Sequence, residues 1–294
     1  MKNIIDFCTI IDKGNHNVML LKNFFYLSGG KYLIAGGWVR CLHGPHIGPC
    51  PGFQDKITEV VEIIKTNSTS SFGLLPDERI QAVGGMIGNV PIICGGRGSI
   101  NPSPPCATFF DSCITFQNSQ WSVSHYMNEK RSTAAGVQIN STTIWILGGE
   151  NCGNFLDSAF IDSEPLNSKV LNSTEFILQG QTNGVPGPKL PYALDNMCAV
   201  KLSDEEIFVI GGWDGWKERD EVWIYNPLNG FARNQGPSLN TRRYSHSCGI
   251  MTDGERNFIV VAGGYNIPDV GDALTSVEIY NPTDKMWHAG KRNF

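Results

Sequence analysis

Charge is scarce in this chain. Of its 294 residues, 17% are Asp, Glu, Lys or Arg, where roughly 25% is usual. Long apolar runs are missing as well. The longest, such as Phe258–Ala262, are strand-sized and far short of the ~20 residues of a membrane-crossing helix. Sustained charged heptads are absent, which excludes a coiled coil, and the glycines keep no three-residue period, which excludes collagen. There is no basic excess: 23 Lys and Arg against 28 Asp and Glu give a net charge of −5. The basic residues are scattered, so the electrostatic footprint of a nucleic-acid binder is lacking. Catalytic signatures are lacking too. No Gly-x-Ser-x-Gly elbow is present, and no Gly-x-Gly-x-x-Gly follows a strand and opens a helix.

What the chain has in plenty is core-forming material and turns. Hydrophobic residues make up 41% and aromatics 10%, which excludes disorder. The 33 Gly and 16 Pro amount to a sixth of the chain, against an average of roughly 12%. That composition predicts many short strands joined by Gly-rich turns.

The glycines are ordered. Five Gly-Gly pairs each end an apolar segment: Gly36-Gly37, Gly95-Gly96, Gly148-Gly149, Gly211-Gly212 and Gly263-Gly264. Ahead of each pair lies a second apolar segment and a polar turn. In the fourth copy this is Met197–Leu202, then Ser203–Glu206, then Ile207–Ile210. In the fifth it is Cys248–Met251, then Thr252–Glu255, then Phe258–Ala262. Apolar, polar turn, apolar is a hairpin, and the nearly continuous apolar runs predict strands covered on both faces. A third strand follows, clearest in Glu221–Tyr225 and Ser276–Tyr280, each closed by an Asn-Pro turn. Trp287 and Trp121 then mark a fourth. A unit of about 50 residues is thus one four-stranded sheet, which buries its faces only by packing on copies of itself.

The five Gly-Gly pairs, the Tyr-Asn-Pro turns at 225–227 and 280–282, Trp287, and the arginines ahead of a first strand (Arg79, Arg131, Arg243) resemble the kelch-repeat family. The resemblance runs over about residues 18–290 and implies an all-β fold, a β-propeller of four-stranded blades. Five blades are recognisable, at about 15–75, 78–128, 131–183, 193–236 and 243–290, with six an alternative if the termini contribute. The fourth copy departs from the pattern, with Leu194 or Asp195 where others carry Arg. Residues 1–14 hold a strand-like stretch, Ile4–Ile11, able to close the ring against the last blade. A closed small propeller and a piece of a longer one both fit.

Radial packing brings equivalent loops to one end. Residues just after the Gly pairs are therefore expected together: Trp38, Arg97, Glu150, Trp213 and Tyr265, followed by Arg40, Asp214, Trp216 and Asn266. Arg243 and Tyr244, ahead of a first strand, are expected at the same end. Trp, Tyr and Arg dominate binding hot spots, so these residues are the expected partner-binding set. The resemblance implies a non-catalytic interaction module that binds a protein or peptide, as a ubiquitin-ligase adaptor or actin scaffold does. The competing implication is a kelch-like enzyme acting on sugars, an oxidase or epimerase. No nucleic acid, membrane, cofactor or metal is expected.

Cys41, His43, His46 and Cys50 lie within ten residues, but not at a zinc-finger spacing, and read as incidental loop residues. Nine Cys is an odd number. Several, including Cys94, Cys198 and Cys248, sit in apolar runs and read as buried free thiols. Met1–Asp6 makes a poor signal peptide, so a cytoplasmic setting is expected. Three Asn-x-Thr/Ser sequons, at Asn67, Asn140 and Asn172, point weakly the other way.

Overall fold

A computed structural model describes residues 9–12, 17–27, 31–43, 46–48, 56–65, 68–98, 109–152, 168–266 and 273–290, with side chains from Leu74 onward. The first sheet joins β1 (Thr9–Asp12), β2 (Asn17–Leu27), β3 (Lys31–His43), β4 (His46–Gly48), β5 (Lys56–Lys65) and β6 (Ser68–Leu74). Its path is β1-β2-β3-β5-β6, with β4 folded back on β3. The second sheet holds β7 (Val83–Ile87), β8 (Val90–Cys94), β9 (Ser112–Gln117) and β10 (Gln120–Tyr126). In the third are β11 (Ala135–Asn140), β12 (Thr143–Leu147), β15 (Thr174–Leu178) and β16 (Val185–Pro186), with the pair β13 (Glu150–Cys152) and β14 (Ser168–Val170) beside them in sequence. The fourth has β17 (Cys198–Lys201), β18 (Ile207–Trp213), β19 (Glu218–Asn226) and β20 (Ala232–Gln235). The fifth has β21 (Ser247–Asp253), β22 (Arg256–Ala262), β23 (Val277–Asn281) and β24 (Met286–Ala289). In these last two sheets, strand order is sequence order and every pairing is antiparallel.

The chain divides into two compact units. One comprises Met1–Ser132, Asn151–Asn167 and Ile177–Val185, the other Thr133–Glu150, Ser168–Phe176 and Pro186–Phe294. In the second unit the reason for continuous apolar runs is plain. Ile207 and Val209 of β18 join Trp145, Leu147, Leu194 and Tyr225 in one cluster. Phe208 and Ile210, on the opposite face, join Val222, Ile259, Val261, Tyr280 and Trp287 in another. β18 is thus sandwiched between two cores, while β22 buries Ile259 and Val261 on one face. The first strands depart from the expectation. β17 is only half-buried, and the distal part of β21 is exposed.

The aromatic positions that drifted are also explained. Tyr280 stands opposite Trp287 in the β23–β24 register, with ring centroids 5.4 Å apart. In the fourth copy the residue opposite the equivalent Tyr225 is Arg233. Phe231, in the preceding turn at φ 58°, supplies a ring instead, 4.9 Å from Trp145 and 5.0 Å from Phe176.

In the second unit the Gly pairs hold consecutive sheets together at one strand end, and the same backbone bond recurs within the first unit. The second glycine donates its N–H to the carbonyl of the residue ahead of the next first strand. These bonds are Gly96 to Arg131 (2.8 Å), Gly149 to Leu194 (2.8 Å) and Gly212 to Arg243 (2.9 Å). The first glycine lies under the same carbonyl. A Cβ on Gly95 would stand 2.5 Å from Arg131 O, and one on Gly211 2.7 Å from Arg243 O, both at positive φ. Backbone packs on backbone here, and no side chain fits. Leu194 therefore fills the Arg place of the fourth copy.

Thr9–Asp12, part of the stretch considered for ring closure, pairs with Asn17–Leu20 of β2, since a short connection closes a hairpin with little loop entropy. Residues 4–8 lie outside the described residues. The cysteines read as free thiols are disulfide-bonded. Cys94 and Cys113 face each other across β8 and β9, and Cys198 joins β17 to Cys248 of β21. The sequence pattern placed these cysteines correctly in apolar strands but carried no information on their partners. The second bridge closes a separation of 50 residues, for which loop-closure entropy gives about 4 kcal/mol.

Gly95→Ala is expected to lower stability by at least about 3 kcal/mol, from left-handed strain plus backbone overlap. Gly254→Ala has φ 63° but nothing within 4 Å and is expected to lose only about 1–2 kcal/mol. Urea unfolding midpoints compare the two.

Candidate functional site

After the Gly pairs of the second, fourth and fifth sheets, the next residue meets the residue after the Arg place. Arg97 and Ile80 exchange two backbone hydrogen bonds (2.8 and 2.9 Å), as do Trp213 and Asp195 (2.9 and 2.9 Å), and Tyr265 and Tyr244 (3.2 and 2.9 Å). In these three sheets a reciprocal pair thus caps the strand end just beyond the glycines.

In the second unit these caps form a row of rings. Trp213 lies 5.6 Å from Tyr244, and Tyr244 lies 5.8 Å from Tyr265, centroid to centroid. Trp213 and Tyr244 are half-buried and Tyr265 is 46% exposed. The row follows from the backbone, because each ring stands on a cap and the caps of consecutive sheets are tied. Ser245 N donates to Asn196 O at 2.8 Å, and Asn196 N to Thr133 O at 3.0 Å. Thr133, Asn196 and Ser245 all sit at φ near +50°, a conformation non-glycine residues rarely adopt.

Carboxylates border the row. Asp195 is buried, and one of its oxygens has no hydrogen-bond partner among the described residues. Burial first, then the charge of Glu150, push its pKa up to about 7. Burial, Tyr265, Glu218 and Asp195 together raise the Tyr244 phenol. Aromatic faces beside carboxylates can attract a cation through ring quadrupoles and ion pairing.

The other expected residues fall into place differently. Trp216 is 90% exposed, at the tip of the turn between β18 and β19. Asp214 builds that turn, its Oδ1 accepting from Trp216 N (2.7 Å) and Lys217 N (2.8 Å). Burial would raise its pKa, but these bonds and the Arg219 guanidinium hold it below the usual range. Glu150 and Asn266 are half-buried at the same strand ends. Arg97 occupies the equivalent cap of the first unit. Trp38 and Arg40 belong to β3, where Trp38 pairs with Leu21 and Ile57, and their side chains lie outside the described residues. The side chains of Cys41, His43, His46 and Cys50 lie outside them too.

Arg243 is a correction. It was expected to face a partner, yet its side chain has no exposed surface. Its Nη1 donates to the carbonyls of Gly263 (2.8 Å) and Ser276 (3.3 Å), and its Nη2 to Ser276 Oγ (3.0 Å) and Glu278 Oε1 (2.8 Å). Glu278 in turn accepts from Asn240 and Thr241 N–H groups. Arg79 repeats the pattern on Gly95 O and Ser112. The guanidinium is a strut joining the glycine bend to the third strand.

Asp195 was missed as a site residue and noted only as a departure from Arg. Aligning the position after the Arg place reads Ile80, Ser132, Asp195 and Tyr244, and that one charged residue was the available signal.

The comparisons with known proteins agree with this geometry. The family model described as Kelch motif matches residues 196–230, the hairpin, Gly pair and third strand of the fourth blade. No curated protein matches the chain. Among solved structures, one titled "Structure of YjhT" is similar, at TM-score 0.64 and 13% identity, covering 92% of this chain and 83% of that one. The fold is the all-β β-propeller expected from the sequence, with four-stranded second to fifth sheets and a six-stranded first sheet.

Arg243→Ala leaves Glu278 buried without its cation, and is expected to lower stability by about 3–5 kcal/mol. Arg242→Ala removes only a half-exposed contact to Asp220, worth under about 1 kcal/mol, and thermal melts of both separate strut from surface. Asp195 has a folded pKa above its unfolded value, so the native state holds the extra proton. Stability therefore falls as pH rises from about 4 to about 7. Asp195→Asn should abolish that fall, gaining roughly 2–3 kcal/mol on wild type between pH 5 and pH 8 in urea titrations.

Proposed function

We propose that this chain, a kelch-repeat protein with the β-propeller fold, is a non-catalytic module that binds a protein or peptide presenting a Lys or Arg side chain. The observation that carries the reading is the aromatic row Trp213–Tyr244–Tyr265 set beside the carboxylates of Asp195, Glu150 and Glu218. The arrangement supplies what a cationic side chain requires, namely ring faces for the charge and the aliphatic stem, and acid groups to pair it. Exposed Trp216 adds a large apolar contact of the kind that anchors interfaces. A net charge of −5 favours approach of a basic partner and disfavours nucleic acid.

The partner enters through loops on a rigid frame. The Gly bends and Arg struts fix the strand ends, so the rings are held before binding and little ordering entropy is lost. An adaptor that recruits a substrate and a scaffold that docks on a filament are specialised forms of this one activity. Occupancy by a cation also favours the ionised form of Asp195, so binding releases a proton near neutral pH and tightens as pH rises from 6 to 8.

Trp213→Ala combined with Tyr265→Ala is expected to weaken capture of Lys- and Arg-bearing peptides about 30-fold or more, at hot-spot magnitude. The melting temperature should stay within a few degrees. Peptide-array binding followed by titration measures this. Equal binding by the double variant, or preference for acidic peptides, would overturn the reading.

A further inference from the structure

Two observations outside the aromatic site point to the same compartment. The first is the pair of disulfides. Cys94 and Cys113 are buried in adjacent strands, and Cys198 and Cys248 join the first strands of consecutive blades. Such bonds form and persist where the surroundings are oxidising, and are rare in reducing cytosol. Each requires two electrons and two protons to leave the paired thiols. An oxidoreductase disulfide takes them up and becomes a dithiol.

The second observation is where the sequons fall. Asn140-Ser141-Thr142 occupies the exposed turn between β11 and β12. The Asn140 Oδ1 accepts from both the Thr142 backbone N–H and the Thr142 hydroxyl, each at 2.9 Å. The hydroxyl at the third sequon position thus already engages the acceptor amide. Asn172-Ser173-Thr174 lies between β14 and β15. Asn172 is exposed and uses its backbone carbonyl to accept from Leu190 N, while Thr174 is buried against Trp145 and Pro188. A sugar on either asparagine projects into solvent and displaces none of the core. Asn67 lies outside the described residues.

We propose that the protein matures in an oxidising compartment and is N-glycosylated on Asn140 and Asn172. In the transfer step the side-chain Nδ2 attacks the anomeric carbon of an oligosaccharide carried on a polyprenyl diphosphate. The C–N bond forms as the bond from that carbon to the diphosphate oxygen breaks. The amide loses one proton to a base, polyprenyl diphosphate leaves, and nothing is oxidised or reduced. The modification needs an accessible Asn-x-Ser/Thr site in a secretory setting, which is the setting the disulfides also require. This replaces the cytoplasmic expectation, which leaned on reading the cysteines as free.

The test is made on the full chain purified from the cells that naturally express it, alkylated before any reduction. Peptide mass spectrometry should find hexosamine-containing glycan on Asn140 and Asn172. Peptide-N-glycosidase should remove it and leave Asp at both positions. Cys94, Cys113, Cys198 and Cys248 should resist alkylation until reduced. Thr142→Ala, which keeps Asn140 but destroys its sequon, should remove one glycan's worth of mass on a gel, and Asn172→Gln another. Unmodified peptides across both asparagines, or four cysteines alkylated without reductant, would overturn the proposal. Peptide capture by the aromatic row is unaffected by either result.

Discussion

One hydrogen bond, repeated, organises the rest of the molecule. The second glycine of each pair donates to the backbone carbonyl that precedes the next first strand, from Gly96 to Arg131, Gly149 to Leu194 and Gly212 to Arg243. Within the second unit, where the donor comes from one sheet and the acceptor precedes the next, the bond sets their spacing. Because both groups are backbone, the contact is closer than any side chain permits, and both glycines of the pair are held at positive φ. The core follows from that spacing. In the second unit, sheets held so near each other cover both faces of β18, so Ile207 and Val209 feed one cluster while Phe208 and Ile210 feed another.

The same bend explains where charge goes in a chain that has little of it. Arg79 and Arg243 are spent inside the fold, bracing the glycine bend against the third strand, with Glu278 sharing the load at Arg243. A buried guanidinium is tolerable there because carbonyls, a hydroxyl and a carboxylate meet its donors. The fourth blade solves the problem differently. Leu194 takes the Arg place and joins the apolar cluster, and Arg219 enters from the third strand, pairing with Asp214 and Glu221 over the ring of Tyr192. The next residue, Asp195, is the acid at the centre of the proposed binding strip.

Function and frame are therefore adjacent positions on one motif. The residue at the Arg place is structural, and the one after it presents a side chain at the strand end. Sequence reasoning merged the two by assigning both Arg243 and Tyr244 to the partner face. Burial separates them, since Arg243 points into its blade and Tyr244 stacks between Trp213 and Tyr265.

The fold was legible in the sequence because its determinants are local and repeated. Gly-Gly after an apolar run, a hairpin turn before it, and Tyr-Asn-Pro after the third strand each report a short-range constraint, and five registered copies make chance implausible. The candidate site was legible in part. The rings at 213, 244 and 265 follow from knowing that strand ends converge. The exposure of Trp216, the burial of Arg243 and the raised pKa of Asp195 do not, because each depends on what the neighbouring blade places opposite. The disulfides were invisible for the same reason. Cys198 and Cys248 are 50 residues apart, and nothing in their local sequence says that β17 and β21 run side by side. Local chain stiffness and periodic burial were written in the sequence, and the meeting of distant side chains was decided only when the blades packed.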